Sequence, residues 1–262
     1  MNSLELFKTQ KFYQIDISIL KDLGYDVLLS NRIFDSLLFW KYDILFSYFY
    51  RYSFFAALLA KCFGKKTYFT GGIDSLDSDY ASAFNYKIQA LFFKLCYWVA
   101  DSCIIVSQSD LKNIFKVSSL KKKLSYSEHV INTKLFIADV PKEKIFTSIV
   151  WMGDEGNVVR KGVDKALQIF AELKKIPEFV DYRFVIIGRK GEGEVLVRSI
   201  IDKYNLKGSV ELKGEVSEED KINLLKQSKY YFQLSLYEGF GLAALEALCA
   251  NNIIIHSGKG GL

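Results

Sequence analysis

The chain has 262 residues, half of them hydrophobic, with 25% charged and 15% aromatic residues and a formal net charge of +5. That length allows one large or two small cores, and the ordinary charge content marks a globular protein. The basic surplus is too small to argue for nucleic acid, and no aromatic-plus-basic RNA motif is present.

The start, Met1-Asn2-Ser3-Leu4-Glu5, lacks a basic segment followed by an apolar block, so it does not read as a secretory leader. In the first half, residues 25–29, 43–49, 67–70 and 103–106 are strand candidates, with helices fitting between them, notably over residues 82–100. Residues 44–60 are interrupted by Arg51, and residues 90–106 by Lys94 and Asp101. Each is better read as a strand and a helix than as a membrane span. Most of the basic surplus lies in this half, where it suits either a solvated face or an anionic membrane surface. Lys121-Lys122-Lys123 reads as a solvated turn by the same reasoning. A polar stretch around residues 139–144 holds Pro141 and marks a boundary between domains 1–141 and 142–262.

The second half alternates clearly. Residues 148–152 form a strand candidate ending at Gly153, and Val163, Ala166, Leu167, Phe170 and Leu173 keep helical spacing. Strand 183–187, helix 195–204, strand 210–212, helix 217–227, strand 230–234, helix 241–250 and strand 253–256 follow. Short loops in a βαβ alternation predict a parallel sheet covered by helices. The whole chain therefore reads as α/β, two Rossmann-like parallel-sheet domains, which would take ligands at the carboxyl ends of their strands. Cys62, Cys96, Cys103 and Cys249 lie in apolar surroundings without C-x-x-C spacing, which predicts buried, reduced thiols and a cytoplasmic protein.

The most informative segment is residues 230–247. A buried strand ends at Ser235, glycines Gly239 and Gly241 flank Phe240, and a helix opens near Gly241. Such a joint aims free amides and a helix dipole at one spot, suiting a phosphate. Glu238 and Glu246 bracket that spot, which predicts hydroxyl donors such as those of a ribose or hexose between them. On chemistry alone, Glu238 as a helix-entry acid and Glu246 as a solvent-facing residue are the plain alternatives. Gly188-Arg189-Lys190-Gly191-Glu192-Gly193 lacks phosphate-loop spacing and reads as a strand–helix turn. No metal set and no nucleophile–His–acid triad can be assembled, with His129 and His256 far apart.

Glu238-Gly-Phe-Gly-Leu-x-x-x-Glu246-Ala resembles the Glu-x7-Glu motif of retaining GT-B glycosyltransferases of the "group 1", family-4-type class. Arg160-Lys161-Gly162-Val163-Asp164, Val185-Ile186-Ile187-Gly188, Leu212-Lys213-Gly214-Glu215-Val216 and Ala100-Asp101-Ser102-Cys103-Ile104-Ile105-Val106-Ser107 are similar to further segments of that class, in order. His129-Val130-Ile131-Asn132-Thr133-Lys134-Leu135-Phe136 and the closing Ser257-Gly258-Lys259-Gly260-Gly261 agree with it as well.

The resemblance implies sugar transfer, with retention, from a nucleotide-diphosphate sugar to a saccharide or lipid-linked acceptor, without a metal or other cofactor. It implies Glu246 on the ribose hydroxyls, Glu238 facing the donor sugar and Gly239, Phe240, Gly241 and Leu242 holding sugar or diphosphate. Lys161 would neutralise the leaving diphosphate, and the turn reaching Val216 would touch the base. Three departures stand out. Asp154 follows Gly153 where the class usually has Arg, leaving Arg160 as the substitute; Thr70-Gly71-Gly72-Ile73-Asp74 lacks the usual His. The pattern also implies elements before residue 20 and after Gly261, so the sequence reads as a fragment or trimmed homologue. Rival readings are a non-catalytic GT-B scaffold and a metal-dependent GT-A enzyme using Asp77 and Asp79.

Overall fold

The structure is a computed structural model that describes residues 3–9, 11–119, 121–137 and 139–262. Met1 and Asn2, the start of the leader reading, lie outside the described residues. The chain divides into two compact units, Met1–Ile131 and Asn132–Leu262.

The first unit opens with α1 (Ser3–Thr9) and α2 (Lys11–Asp22). Strand β1 (Ile44–Tyr48), α3 (Tyr50–Cys62), β2 (Lys66–Thr70), α4 (Ala83–Val99), β3 (Ser102–Ile105), α5 (Gln108–Val117) and β4 (Leu124–Tyr126) follow. The four strands are parallel and lie in the order β1-β2-β3-β4. Ser82 and Ser107 cap α4 and α5, accepting from the amides of Asn85 and Asp110, which explains where both helices start. Residues 44–60 thus split into β1 and α3, and residues 90–106 into α4 and β3. No helix among the described residues is long and apolar enough to cross a membrane.

Residues 25–29 are a correction: they form no strand and pair with none among the described residues. Leu28 stays 69% exposed there, so the apolar run that suggested a strand has no sheet face to bury.

The second unit runs β5 (Glu143–Ile149), α6 (Glu155–Arg160), α7 (Val163–Leu173), β6 (Arg183–Ile187), α8 (Glu194–Lys203) and β7 (Val210–Gly214). It ends with α9 (Glu218–Gln227), β8 (Ser228–Gln233), α10 (Leu242–Cys249) and β9 (Ile253–His256). All pairings are parallel, in the order β7-β6-β5-β8-β9. Strand order therefore reverses between β5 and β8, the switch point where such sheets open a crevice at their carboxyl ends. Strand β5 begins five residues before the apolar run at 148–152. Its polar Glu143, Lys144, Thr147 and Ser148 hid it, although Thr147 and Ser148 are buried and bonded to β8.

At the centre of this sheet, Phe146 stacks on Tyr230 and Phe232, with ring centroids 4.6 and 5.0 Å away and interplanar angles of 14° and 15°. Phe170 from α7 meets the same ring edge-on at 5.5 Å. Two strands and a helix thus converge on one fully buried ring. Phe146→Ala is expected to destabilise the protein by about 3–5 kcal/mol, read as a lower denaturation midpoint in guanidinium.

Cys96 and Cys103 are buried in the first unit's core, and desolvation pushes the Cys103 thiol up to about 12. Cys62 is exposed and Cys249 partly so. Native alkylation at neutral pH is expected to modify Cys62 and spare Cys96 and Cys103, checked by mass spectrometry of the labelled peptides.

Candidate active site

The segments leaving β5 and β8 carry the residues of interest, and both leave the sheet at the switch point. After β5 the chain passes Gly153 and enters α6, which Asp154 caps by accepting from the Asn157 amide at 2.7 Å. Asp154 is therefore a helix cap, a physical reason for an acid at that position. Asn157 in turn donates to the Trp151 carbonyl at 2.5 Å and accepts from the Arg160 guanidinium at 2.7 and 3.1 Å. Arg160's head is committed within its own helix.

Helix α6 ends at a turn whose geometry only glycine satisfies. Gly162 has φ +68°, and a Cβ there would lie 2.0 Å from the Leu234 carbonyl oxygen. The Leu236 amide donates to the Arg160 carbonyl at 2.8 Å, tying this turn to the segment that follows β8. Between these two contacts sits Lys161, whose Nζ lies 2.5 Å from Glu238 Oε1, both side chains largely buried.

Glu238 is held from three sides. Lys161 Nζ, Gln233 Nε2 (2.8 Å) and Ser235 Oγ (2.7 Å) all donate to Oε1, leaving Oε2 outside that set. Gln233 also donates to Ser235 Oγ at 2.9 Å and accepts from the Tyr231 hydroxyl at 3.1 Å. Residues 231, 233 and 235 share one face because side chains alternate along the strand and its extension. Burial pushes the Tyr231 hydroxyl's pKa well up; the Ile149 amide donated to it pulls the other way, and the charges of Glu238 and Glu246 raise it further. The phenol therefore lies within the field of both carboxylates.

Glu246 sits inside α10 and is 8% exposed. Its Oε2 accepts from Lys221 Nζ of α9 at 2.8 Å, and Lys221 also reaches Glu218 at 3.1 Å. Helix α10 is entered through Gly241 in the left-handed region, with φ +81°. The Glu238 carbonyl accepts from the Gly261 amide at 2.7 Å, and a Cβ on Gly260 would meet that carbonyl oxygen at 2.1 Å. The closing glycines thus lie directly against the loop 238–240.

Val216 is partly buried, packed against Ile145, Val185, Ile187 and Leu224. Gly191 and Gly193 let their loop close on residues 152–154, with Cβ atoms that would lie 2.5 and 2.4 Å from the Met152 and Asp154 carbonyl oxygens. In the first unit, Asp77 closes a turn by accepting from the amides of Asp79 and Tyr80, and it accepts from Asn113 as well. That employment is structural. Sequence reasoning missed Lys221, Gln233, Ser235 and Tyr231; only the period-2 polar pattern at 231–235 hinted at three of them.

Residues 156–262 match the family described as glycosyl transferases group 1. The chain also aligns with GDP-mannose:cellobiosyl-diphosphopolyprenol alpha-mannosyltransferase of Xanthomonas oryzae pv. oryzae, 36% identical over 101 residues, 38% of this chain and 26% of that protein. A component of human phosphatidylinositol N-acetylglucosaminyltransferase is 30% identical over 105 residues, 40% of this chain and 21% of that one. The chain thus spans about a quarter of the length of these relatives. Among solved structures, Anabaena HepE in complex with UDP and glucose superimposes with a TM-score of 0.70 at 13% identity, covering 87% of this chain and 62% of that one. Sucrose-phosphate synthase from Thermosynechococcus elongatus gives 0.67 at 20% identity, covering 85% and 57%. The fold is α/β of the GT-B type, with two parallel-sheet units.

Lys221→Met would remove the cation beside the largely buried Glu246 carboxylate and is expected to cost about 3 kcal/mol. The double variant Lys221→Met/Glu246→Leu should recover most of that loss, and a double-mutant cycle in denaturant measures the coupling.

Proposed function

We propose that this chain moves a sugar from a nucleotide-diphosphate donor to the hydroxyl of a saccharide or lipid-linked acceptor, with retention, in surface polysaccharide or glycolipid assembly. The observation that carries this reading is a strand–Gly–helix joint at the sheet's switch point, flanked by two carboxylates that are each held by a lysine. The relatives' names support the substrate classes: one names GDP-mannose and a diphosphopolyprenol, another phosphatidylinositol, while a structural neighbour holds UDP and glucose. We place the activity at the cytoplasmic side of a membrane, with peripheral contact.

In this reading Glu246, anchored by Lys221 through Oε2, accepts from the ribose hydroxyls. The amides of Phe240, Gly241 and Leu242 take the diphosphate or the sugar, aided by the positive end of α10. Lys161 is the cation for the leaving diphosphate, where negative charge grows in the transition state. Before donor arrives it is neutralised by Glu238; the diphosphate competes for it, while Gln233 and Ser235 keep hold of Glu238 Oε1. Glu238 then faces the donor sugar through Oε2. The turn at Gly214–Val216 presents its backbone to the base. In this reading the transfer proceeds without a metal or other cofactor.

A second reading, nucleotide-sugar binding without transfer, draws on Asp154. It stands where the resemblance expects Arg, while Arg160 is occupied by Asn157.

Calorimetry and donor consumption over UDP-, GDP- and ADP-sugars separate the two. The proposal expects binding and turnover of one donor class. Glu246→Ala should weaken nucleotide affinity by about tenfold or more, and Lys161→Ala should lower kcat by about 10²–10³. Binding without turnover would favour the scaffold; no binding, with both variants silent, sinks both readings.

A further inference from the structure

The outer face of the first unit's helical layer takes no part in the chemistry above. Its strand order follows the chain, so right-handed crossovers stack α3, α4 and α5 on one side of the sheet. Their inner sides share a single core, with Phe54, Phe93 and Ile114 in one cluster. The outer sides of α3 and α4, which pack against each other, form one continuous surface.

On α4 the exposed positions recur at helical spacing as Phe84, Lys87, Leu91, Lys94 and Trp98. Phe84 and Trp98 are 72% and 71% exposed, and Leu91 is 54% exposed. The neighbouring α3 adds Tyr52 and Phe55, both exposed. Leaving such rings in water at a regular spacing is unfavourable unless something covers them. Charge decides what that is. Helices α3 and α4 contain no Asp or Glu, and the one acid of α5, Asp110, is fully buried. The layer shows rings and cations, with no helical carboxylate at its surface.

We propose that this face seats the protein on a lipid surface carrying anionic headgroups. Phe84, Leu91 and Trp98 enter the boundary between headgroups and acyl chains, where amphipathic indole and phenyl rings are favoured. Lys87 and Lys94, one turn either side of Leu91, extend past their apolar stems to the phosphates. Helix α4 lies along the surface, since no described helix is suited to cross it. The inference rests on the membrane contact in the reading above and does not require sugar transfer.

The test is sedimentation of the full chain with vesicles of phosphatidylcholine alone or with about 30% phosphatidylglycerol, an anionic content that gives a substantial surface potential. Binding to the anionic vesicles at low salt, release at high salt, and quenching by brominated lipid that disappears in Trp98→Phe are expected. Lys87→Gln/Lys94→Gln should reduce partitioning by more than about tenfold, and Phe84→Ser/Leu91→Ser should reduce it as well. All variants should retain their circular dichroism. Absence of binding, equal binding to neutral vesicles, or variants that bind like the parent would overturn the proposal. So would lysine-dependent binding to heparin without vesicle binding. Nucleotide-sugar calorimetry run on the same samples separates the readings: vesicle binding without donor binding refutes the transferase alone.

Discussion

Residue 162 and the Leu234 carbonyl approach so closely that no side chain fits between them. That contact brings the end of α6 onto the exit of β8, two segments more than seventy residues apart in sequence. The Leu236 amide seals it by donating to the Arg160 carbonyl. The placing of Lys161 against Glu238 follows from this joint. Lys161 points to the exit of β8, where Glu238 receives it. A second close approach, of Gly260 and Gly261 to the loop 238–240, holds the other side of the same loop.

The two carboxylates solve one problem in parallel ways. A buried negative charge is costly unless it is paired and hydrogen-bonded. Glu246 has Lys221 from the adjacent helix; Glu238 has Lys161 together with two neutral donors from β8 and its extension. In both cases the lysine comes from a different element than the acid, so the pairs also fix how α9, α10 and the α6–α7 turn meet. The pairs differ in what would happen on binding an anion. Lys221 is walled in by Glu218 and Glu246. Among the described residues Lys161 has a single acid partner, and its position is suited to exchange it.

Departures from the expected pattern have local explanations. Asp154 is where a phosphate-binding Arg was expected, and the structure gives it the work of a helix cap. The glycine-rich run at 188–193 is the strand–helix turn its spacing suggested, and its glycines let two loops after adjacent strands pack backbone to backbone. Asp77 and Asp79 form a turn, with the Asp77 carboxylate accepting the Asp79 amide. In each case a motif's residue types were visible while their partners were not.

Period and punctuation in the sequence determined most of the second unit: β6 and β9 fall on the residues their apolar runs marked, and α9 starts at its Ser cap. The Glu-x7-Glu segment was legible for a similar reason, because its strand, glycines and helix are all local. Sheet order was not legible, nor were the polar start of β5 and the lack of a strand at residues 25–29, because pairing depends on neighbours far along the chain. The lysine that serves each glutamate was likewise decided only in three dimensions. Lys161 and Glu238 are 77 positions apart, and Lys221 and Glu246 are 25 apart. Helical or strand periodicity carries no information over such separations; the switch point brings Lys161 to Glu238, and the packing of α9 on α10 brings Lys221 to Glu246.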